Sequence, residues 1–187
     1  MIRGPYLRPP VFIKDLNRSN GNSNAARIVM DPDAPYPVAV LAQELVEWQY
    51  KFKRGAPVAA ASIAALWTFG GEIDPLALTA FSACLAVVGL TSPRWVRHLH
   101  CQMELLGHMV EVIAAEKLYG SDAIAHFGRE AKVLTRYDQF DDWEIDEIIA
   151  GMDAMEERAE AWVNANLDHL RSWLPLFHVE IKESQSA

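Results

Sequence analysis

The sequence predicts a mainly α-helical single domain with six or seven helices, one or two short strands and an irregular N-terminal arm. Three observations carry that prediction. The chain has 187 residues, the length of one domain. Apolar residues make up 51% and charged residues 22%, enough to fill a core and to exclude wholesale disorder. From residue 37 onward, apolar positions recur at helical spacing between glycine, proline and capping signals. The implied organisation is an arm over 1–26, a helical domain over 27–175 and a tail over 176–187.

The arm carries Pro5, Pro9 and Pro10, then LNRSNGNSNAA. Proline removes a backbone donor, and Asn, Gly and Ser favour turns, so no regular element should run far. It reads either as a flexible extension or as a segment that orders on a neighbour. RIVMD, residues 27–31, is a short β-type run. DPDAPYP follows, and its prolines keep the residues before them out of helical conformation. Pro37 suits a first helical turn. PVAVLAQELVEWQYKFKR then predicts a helix over 37–54, stopped by Gly55, with Val38, Leu41, Leu45, Trp48 and Phe52 as its buried stripe.

Residues 56–90 are rich in alanine and nearly all apolar, divided by Gly70 and Gly71. They predict a hairpin of segments 57–69 and 76–89, buried at the centre of the bundle. The rival is a membrane hairpin. Neither 56–71 nor 75–93 holds a charge, and Lys51, Lys53, Arg54, Arg94 and Arg97 flank the pair. The weak insertion tendency of alanine and the presence of Trp67 favour the buried reading. Residues 93–119 predict a long helix ended by Gly120, and Ser121 or Asp122 caps the next, over 122–137. DQFDDWEIDEII reads as a turn and a short acidic helix. Residues 152–174 predict an amphipathic helix ended by Pro175. Its Trp162 and Trp173 side docks on the protein's own core or on another subunit. LFHVEI in the tail has the composition of a short strand.

Composition also bounds function. A net charge of −8 argues against a nucleic-acid partner, because phosphate binding needs a basic surface. Cys84 and Cys101 build no disulfide framework and have no CxxC spacing. The first residues lack the apolar centre of a signal peptide, so a reducing compartment is expected. His100, Glu104, His108 and Glu111 are spaced 4, 4 and 3 and share one helical stripe. That stripe is a solvated face or, with Glu44 or Glu47 opposite, a metal site.

A short strand, a proline-containing turn and a helix carrying QELVE resemble the start of a zincin metallopeptidase domain of the small phage and bacterial kind, over roughly residues 27–120. In zincins this helix reads His-Glu-x-x-His. The histidines bind zinc and the glutamate activates a water. The resemblance puts Gln43 at the first histidine, Glu44 at the catalytic glutamate and Glu47 at the second histidine. Gln49 lies two residues beyond, and Glu104 matches the third ligand on a later helix. Both histidines are thus replaced. The resemblance therefore implies a catalytically impaired protein of phage or prophage origin with no cofactor. It would act by binding a protein partner or by self-assembly, in the host cytoplasm or a virion. The enzyme alternative is a metal-dependent hydrolase using Glu44, with Glu47, Glu104 and His108 holding zinc or another divalent cation.

Overall fold

The apolar stripe at Val38, Leu41, Leu45 and Trp48 is buried in a helix that forms the spine of the molecule. The computed structural model describes residues 9–14, 16, 21–23, 27–69 and 74–177. Three strands come first: β1 (Val11–Ile13), β2 (Gly21–Ser23) and β3 (Ile28–Met30). They are followed by α1 (Pro37–Phe69), α2 (Pro75–Trp95), α3 (Arg97–Tyr119), α4 (Ala123–Leu134), α5 (Ile145–Asp153) and α6 (Glu156–Arg171). Short 3-10 turns lie at Asp138–Phe140 and Leu174–Phe177.

RIVMD forms β3, the middle strand of a sheet ordered β1-β3-β2. β1 pairs with it in parallel, Val11 opposite Ile28, and β2 antiparallel, Gly21 opposite Met30. Two strands therefore come from the stretch expected to be an irregular arm. Each is three residues long and exists only through its pairing with β3, so local composition gives no sign of it. The predicted LFHVEI strand falls largely outside the described residues, and Leu176 and Phe177 sit in a 3-10 turn.

α1 and α3 run antiparallel. The Val38 N–H donates to Tyr119 Oη at 3.0 Å near one end, and Tyr50 Oη donates to Gln102 Oε1 at 3.1 Å near the other. Between these ties the core is built from Val38, Leu41, Leu45, Met103, Leu106 and Val110, closed by Phe140, Ile148, Met152, Leu170 and Leu174.

Gly55 does not stop α1. The helix continues through Gly55 and Pro57 to Phe69, 33 residues in all. Pro57 forfeits the bond to the Lys53 carbonyl, and pairing of the following turns with α2 offsets that loss. α3 has only 23 residues and is already matched to the first half of α1. The last fifteen residues of α1 therefore overhang by about 20 Å.

The apolar hairpin is accordingly not at the centre of the bundle. Its two helices bury a seam at Ala59, Leu78, Ser82 and Gly89, while Val58, Trp67, Leu76, Phe81 and Val87 are more than half exposed. The alanine-rich composition that reads as core supplies little side-chain volume, and the spine fills the core without it. Among the described residues no helix is long and apolar enough to cross a membrane.

α2 runs past the expected end at Gly89 to Trp95. An extended residue, Val96 (φ −100°, ψ 101°), separates it from α3, which begins at Arg97 rather than at 93. Gly120 ends α3 in the left-handed conformation (φ 63°). Asp122 caps α4, accepting from the N–H groups of Ile124 and Ala125. The amphipathic pattern over 152–174 is split, because α5 ends at Asp153 and α6 starts at Glu156. Met152 is a buried α5 residue. The apolar phase survives the short break, so periodicity could not reveal it.

Candidate functional site

Helical spacing puts Val40, Gln43, Glu44, Glu47 and Lys51 on one face of α1. Glu104, Gly107, His108 and Glu111 share a face of α3, and His126 and Glu130 share one on α4. The fold turns these three stripes toward each other. Eleven polar or charged residues are buried among the described residues, and all but Ser82 belong to this one cluster: Ser23, Gln43, Glu44, Glu47, Lys51, Glu104, His108, Glu111, His126 and Glu130. The Glu44, Glu47 and Glu104 side chains are therefore not on solvated faces. Neither is the Glu47–Lys51 pair an ordinary surface ion pair. Its atoms are 3.5 Å apart and both side chains are buried.

Two glycines make the convergence possible. A Cβ on Gly107 would lie 2.8 Å from Glu47 Oε1 and 3.2 Å from Gln43 Cγ, so α3 reaches α1 here only without one. A Cβ on Gly21 would meet Glu44 Cγ and Oε1 at 3.0 Å, so β2 lies directly against that carboxyl. The same strand supplies Ser23, whose hydroxyl accepts from Lys51 Nζ at 2.9 Å.

The cluster has an inner and an outer part. Inside, Gln43 Nε2 donates to Glu47 Oε1 at 2.9 Å and lies 3.3 Å from His108 Nε2. His100 Nε2 lies 3.1 Å from Glu104 Oε1. Outside is a cleft of about 460 Å³, lined among others by Gln43, Glu44, His108, Glu111, Glu130 and Tyr137, with Arg129 and Arg136 in its wall. Glu47 and Glu104 do not line it.

Ligand atoms of His108, Glu111 and Glu130 all lie within 4.8 Å of one another. His108 Nδ1 is 2.7 Å from Glu130 Oε2, and Arg129 Nε donates to Glu130 Oε1 at 3.2 Å. The Arg129 guanidinium also donates to His126 Nδ1 and stacks over the Tyr36 ring. His126 Nε2 is buried without a hydrogen-bond partner, 3.6 Å from Glu111 Oε1. Tyr36 holds φ at 52°, a rare conformation for a side-chain-bearing residue, and its ring packs on Tyr119 and edge-on to His126. The turn before α1 is thereby locked against α3 and α4.

These surroundings pull the acids apart in strength. Burial, then the Glu47 charge, pushes the Glu44 carboxyl up to about 8, against Ser23 and Lys51. Burial and the Glu104 charge raise Glu47 as well. Burial opposes ionisation of Glu104 too, but a hydrogen bond from His100 and the charges of His108, His100 and Lys51 hold it below the ordinary value. For Glu130 the His108 hydrogen bond and charge outweigh burial in the same way. His108 itself, despite burial, is raised to about 9 by Glu130, Glu111 and Glu104.

Of the residues singled out in the sequence, Gln43, Glu44, Glu47, Glu104 and His108 are brought together. Gln49 is elsewhere. It accepts from Trp162 Nε1 at 2.8 Å, on the α6 side of α1. Trp162 and Trp173 are partly buried and pack against the protein's own core. Sequence reading missed Glu130, His126, Arg129, Arg136 and Tyr137. The i, i+4 pair His126 and Glu130 was a visible signal, but α4 had nothing else to set it apart.

No protein-family model matches this chain, and no curated protein or solved structure is significantly similar to it.

Proposed function

We propose that the cleft binds a divalent cation and that the protein is a cation-dependent hydrolase of a small phosphate-bearing substrate. The observation that carries this reading is the gathering of ten of the eleven buried polar residues among the described ones, five of them glutamates, in one cluster, with Gln43, Glu44, His108, Glu111 and Glu130 lining the cleft. Burying so many carboxylates is costly unless charge is brought to them or some of them hold a proton, and a cation in the cleft would supply that charge. His108, Glu111 and Glu130 would hold the cation, being close enough to share one ion and open to the cleft. The unpartnered His126 Nε2 beside Glu111 is a further sign that the arrangement is built for more than its own hydrogen bonds. A donor set rich in carboxylate oxygen suits magnesium or manganese, and the single imidazole also admits zinc or iron.

When bound, such a cation would polarise a phosphoryl oxygen and neutralise its charge. Glu44, on the α1 wall, has its proton affinity raised to about 8, and its ionised form can take a proton from an attacking water. Arg129 and Arg136, in the wall of an otherwise acidic cleft, suit the remaining phosphate oxygens. The cleft volume is that of a site for a small molecule, such as a nucleotide. In this reading Glu47 and Glu104, expected as ligands, act behind the cleft. Gln43 and Lys51 tie Glu47 to α1, and His100 ties Glu104 to α3.

Calorimetric titration with Mn²⁺ and Mg²⁺, followed by phosphate-release assays on nucleoside mono-, di- and triphosphates, tests the proposal. We expect binding that Glu130→Gln abolishes and cation-dependent turnover that Glu44→Gln abolishes. A folded protein that binds neither Mn²⁺, Mg²⁺ nor Zn²⁺ at millimolar concentration would overturn it.

The degenerate zincin reading has one specific observation in its favour. Gln43 and Glu47 lie side by side, and the charge of Glu104 acts on Glu47 from the next helix. Under that reading Gln43→His with Glu47→His should raise zinc affinity by orders of magnitude. No gain in a folded double variant would remove it.

A further inference from the structure

Seen from the spine, the outer side of α2 presents Leu76, Ala77, Ala80, Phe81, Cys84, Val87 and Val88, which fall within an arc of about 140° at 100° per residue. Every one of them is exposed; Leu76 reaches 77% and Val87 58%. The inner side is the seam, where Gly89 comes so close to α1 that a Cβ would stand 2.7 Å from that of Ala59. The hairpin is thus packed tightly within itself and leaves a complete apolar face outward. That face exposes on the order of 500 Å² of apolar surface, at the upper end for a lone protein.

We propose that this face is covered by a second copy of the chain, α2 against α2 across a two-fold axis near Cys84. The area is about two thirds of the roughly 800 Å² per partner that a standard interface buries. No charged residue lies between Pro75 and Pro93, so a charged partner finds nothing to pair with. Two copies of a chain carrying −8 repel everywhere that charge is exposed, and this uncharged face is where they can meet. The face is self-complementary, with Leu76 and Thr91 equidistant to within a residue from Cys84, so an antiparallel pairing sets one end of each helix against the other end of its mate. The alanines let the helices approach closely. At an axis separation of about 9–10 Å, and with Cα atoms about 2.3 Å from each axis, the two facing Cys84 Cα atoms stand roughly 4–5 Å apart, within disulfide range. Cys101 is buried and cannot report on this contact.

Sedimentation velocity between 1 and 100 µM, together with mild oxidation by copper phenanthroline, tests the proposal. We expect a dimer that Phe81→Glu with Val88→Glu converts to a monomer of unchanged helicity, since both side chains point to solvent in the single chain. We also expect an inter-chain disulfide in the native protein that Cys84→Ser removes and Cys101→Ser does not. A monomer throughout the concentration range would overturn the proposal. So would a dimer that survives the double charge variant and forms no Cys84 disulfide. Flotation of the native protein with phosphatidylcholine vesicles, without dimer formation, would overturn it in favour of a lipid surface.

Discussion

Replacing Glu44 by glutamine should stabilise the cation-free protein at neutral pH. The side chain is buried beside β2, and burial with the Glu47 charge lifts its carboxyl from 4.5 to about 8. At pH 7 the unfolded chain carries this group ionised, while the native state must hold it protonated. The interval from 4.5 to 7 corresponds to about 3 kcal/mol at 1.36 kcal/mol per pH unit. Glutamine has nearly the same shape and is neutral in both states, so it escapes that cost. The native state binds the extra proton, so the Glu44 contribution is fully present below pH 4.5 and is lost as pH rises through about 8. The variant's advantage should therefore be near zero at pH 4.5 and grow to its largest value at pH 8. Urea unfolding in chelator at pH 5, 7 and 8 measures it. A difference of about 3 kcal/mol moves the midpoint by roughly 1–2 M. Equal midpoints at pH 8, or a gap that does not change with pH, would show that Glu44 ionises in the fold without penalty, and the raised proton affinity assigned to it would fall. Saturating Mn²⁺ should raise both proteins alike, because the proposed ligands are His108, Glu111 and Glu130.

Further expectations concern the same cluster and its supports. Cation affinity should rise with pH, up to about tenfold per unit between pH 6 and 8, because His108 is held protonated to about 9 and must release that proton to bind; a flat profile by calorimetry would exclude it as a ligand. Gly107→Ala should cost about 1–3 kcal/mol in urea unfolding, since its Cβ would press on Glu47 and Gln43 where both helices are already packed. Lys51→Met should destabilise, by up to about 3–5 kcal/mol at pH values where Glu47 is ionised, because that charge loses its buried partner, and adding Glu47→Gln should recover most of it. Asp122→Ala should cost about 1 kcal/mol, read from the thermal midpoint, because two α4 N–H groups lose their acceptor.

The spine and its caps were legible in the sequence, because each rests on a local rule. Val38, Leu41, Leu45 and Trp48 repeat at helical spacing, Gly120 is left-handed, and Asp122 has its carboxylate acceptor oxygen in capping position. The strands β1 and β2 were not, since three residues acquire β structure only by pairing with β3. Nor was the length of α1, where Gly55 and Pro57 give correct local signals that packing against α2 overrides. The hairpin was misplaced because apolar composition says that a surface seeks cover without saying what covers it. At the site, QELVE drew attention to Glu44 and Glu47, and the α3 stripe to His108 and Glu104. The third helix was missed because Glu130 and His126 become remarkable only once α4 is folded against α3, a contact that spacing within α4 cannot encode.

Pro57 gives α1 two halves of different endurance. Upstream, the backbone amides of the spine lie beneath α3 and the sheet, and opening them requires the core to open. Downstream, the turns from Val58 to Phe69 pack against α2, as at Ala59–Gly89 and Trp67–Ser82, and the turn at Pro57 already lacks one rung of its ladder. Protection against hydrogen–deuterium exchange should therefore fall abruptly along a single continuous helix, with the carboxylate-bearing turns slow and the overhanging turns fast. The chain can then loosen, reshape or exchange its projecting end while the Glu44–Glu47 turn stays in register with Gly107.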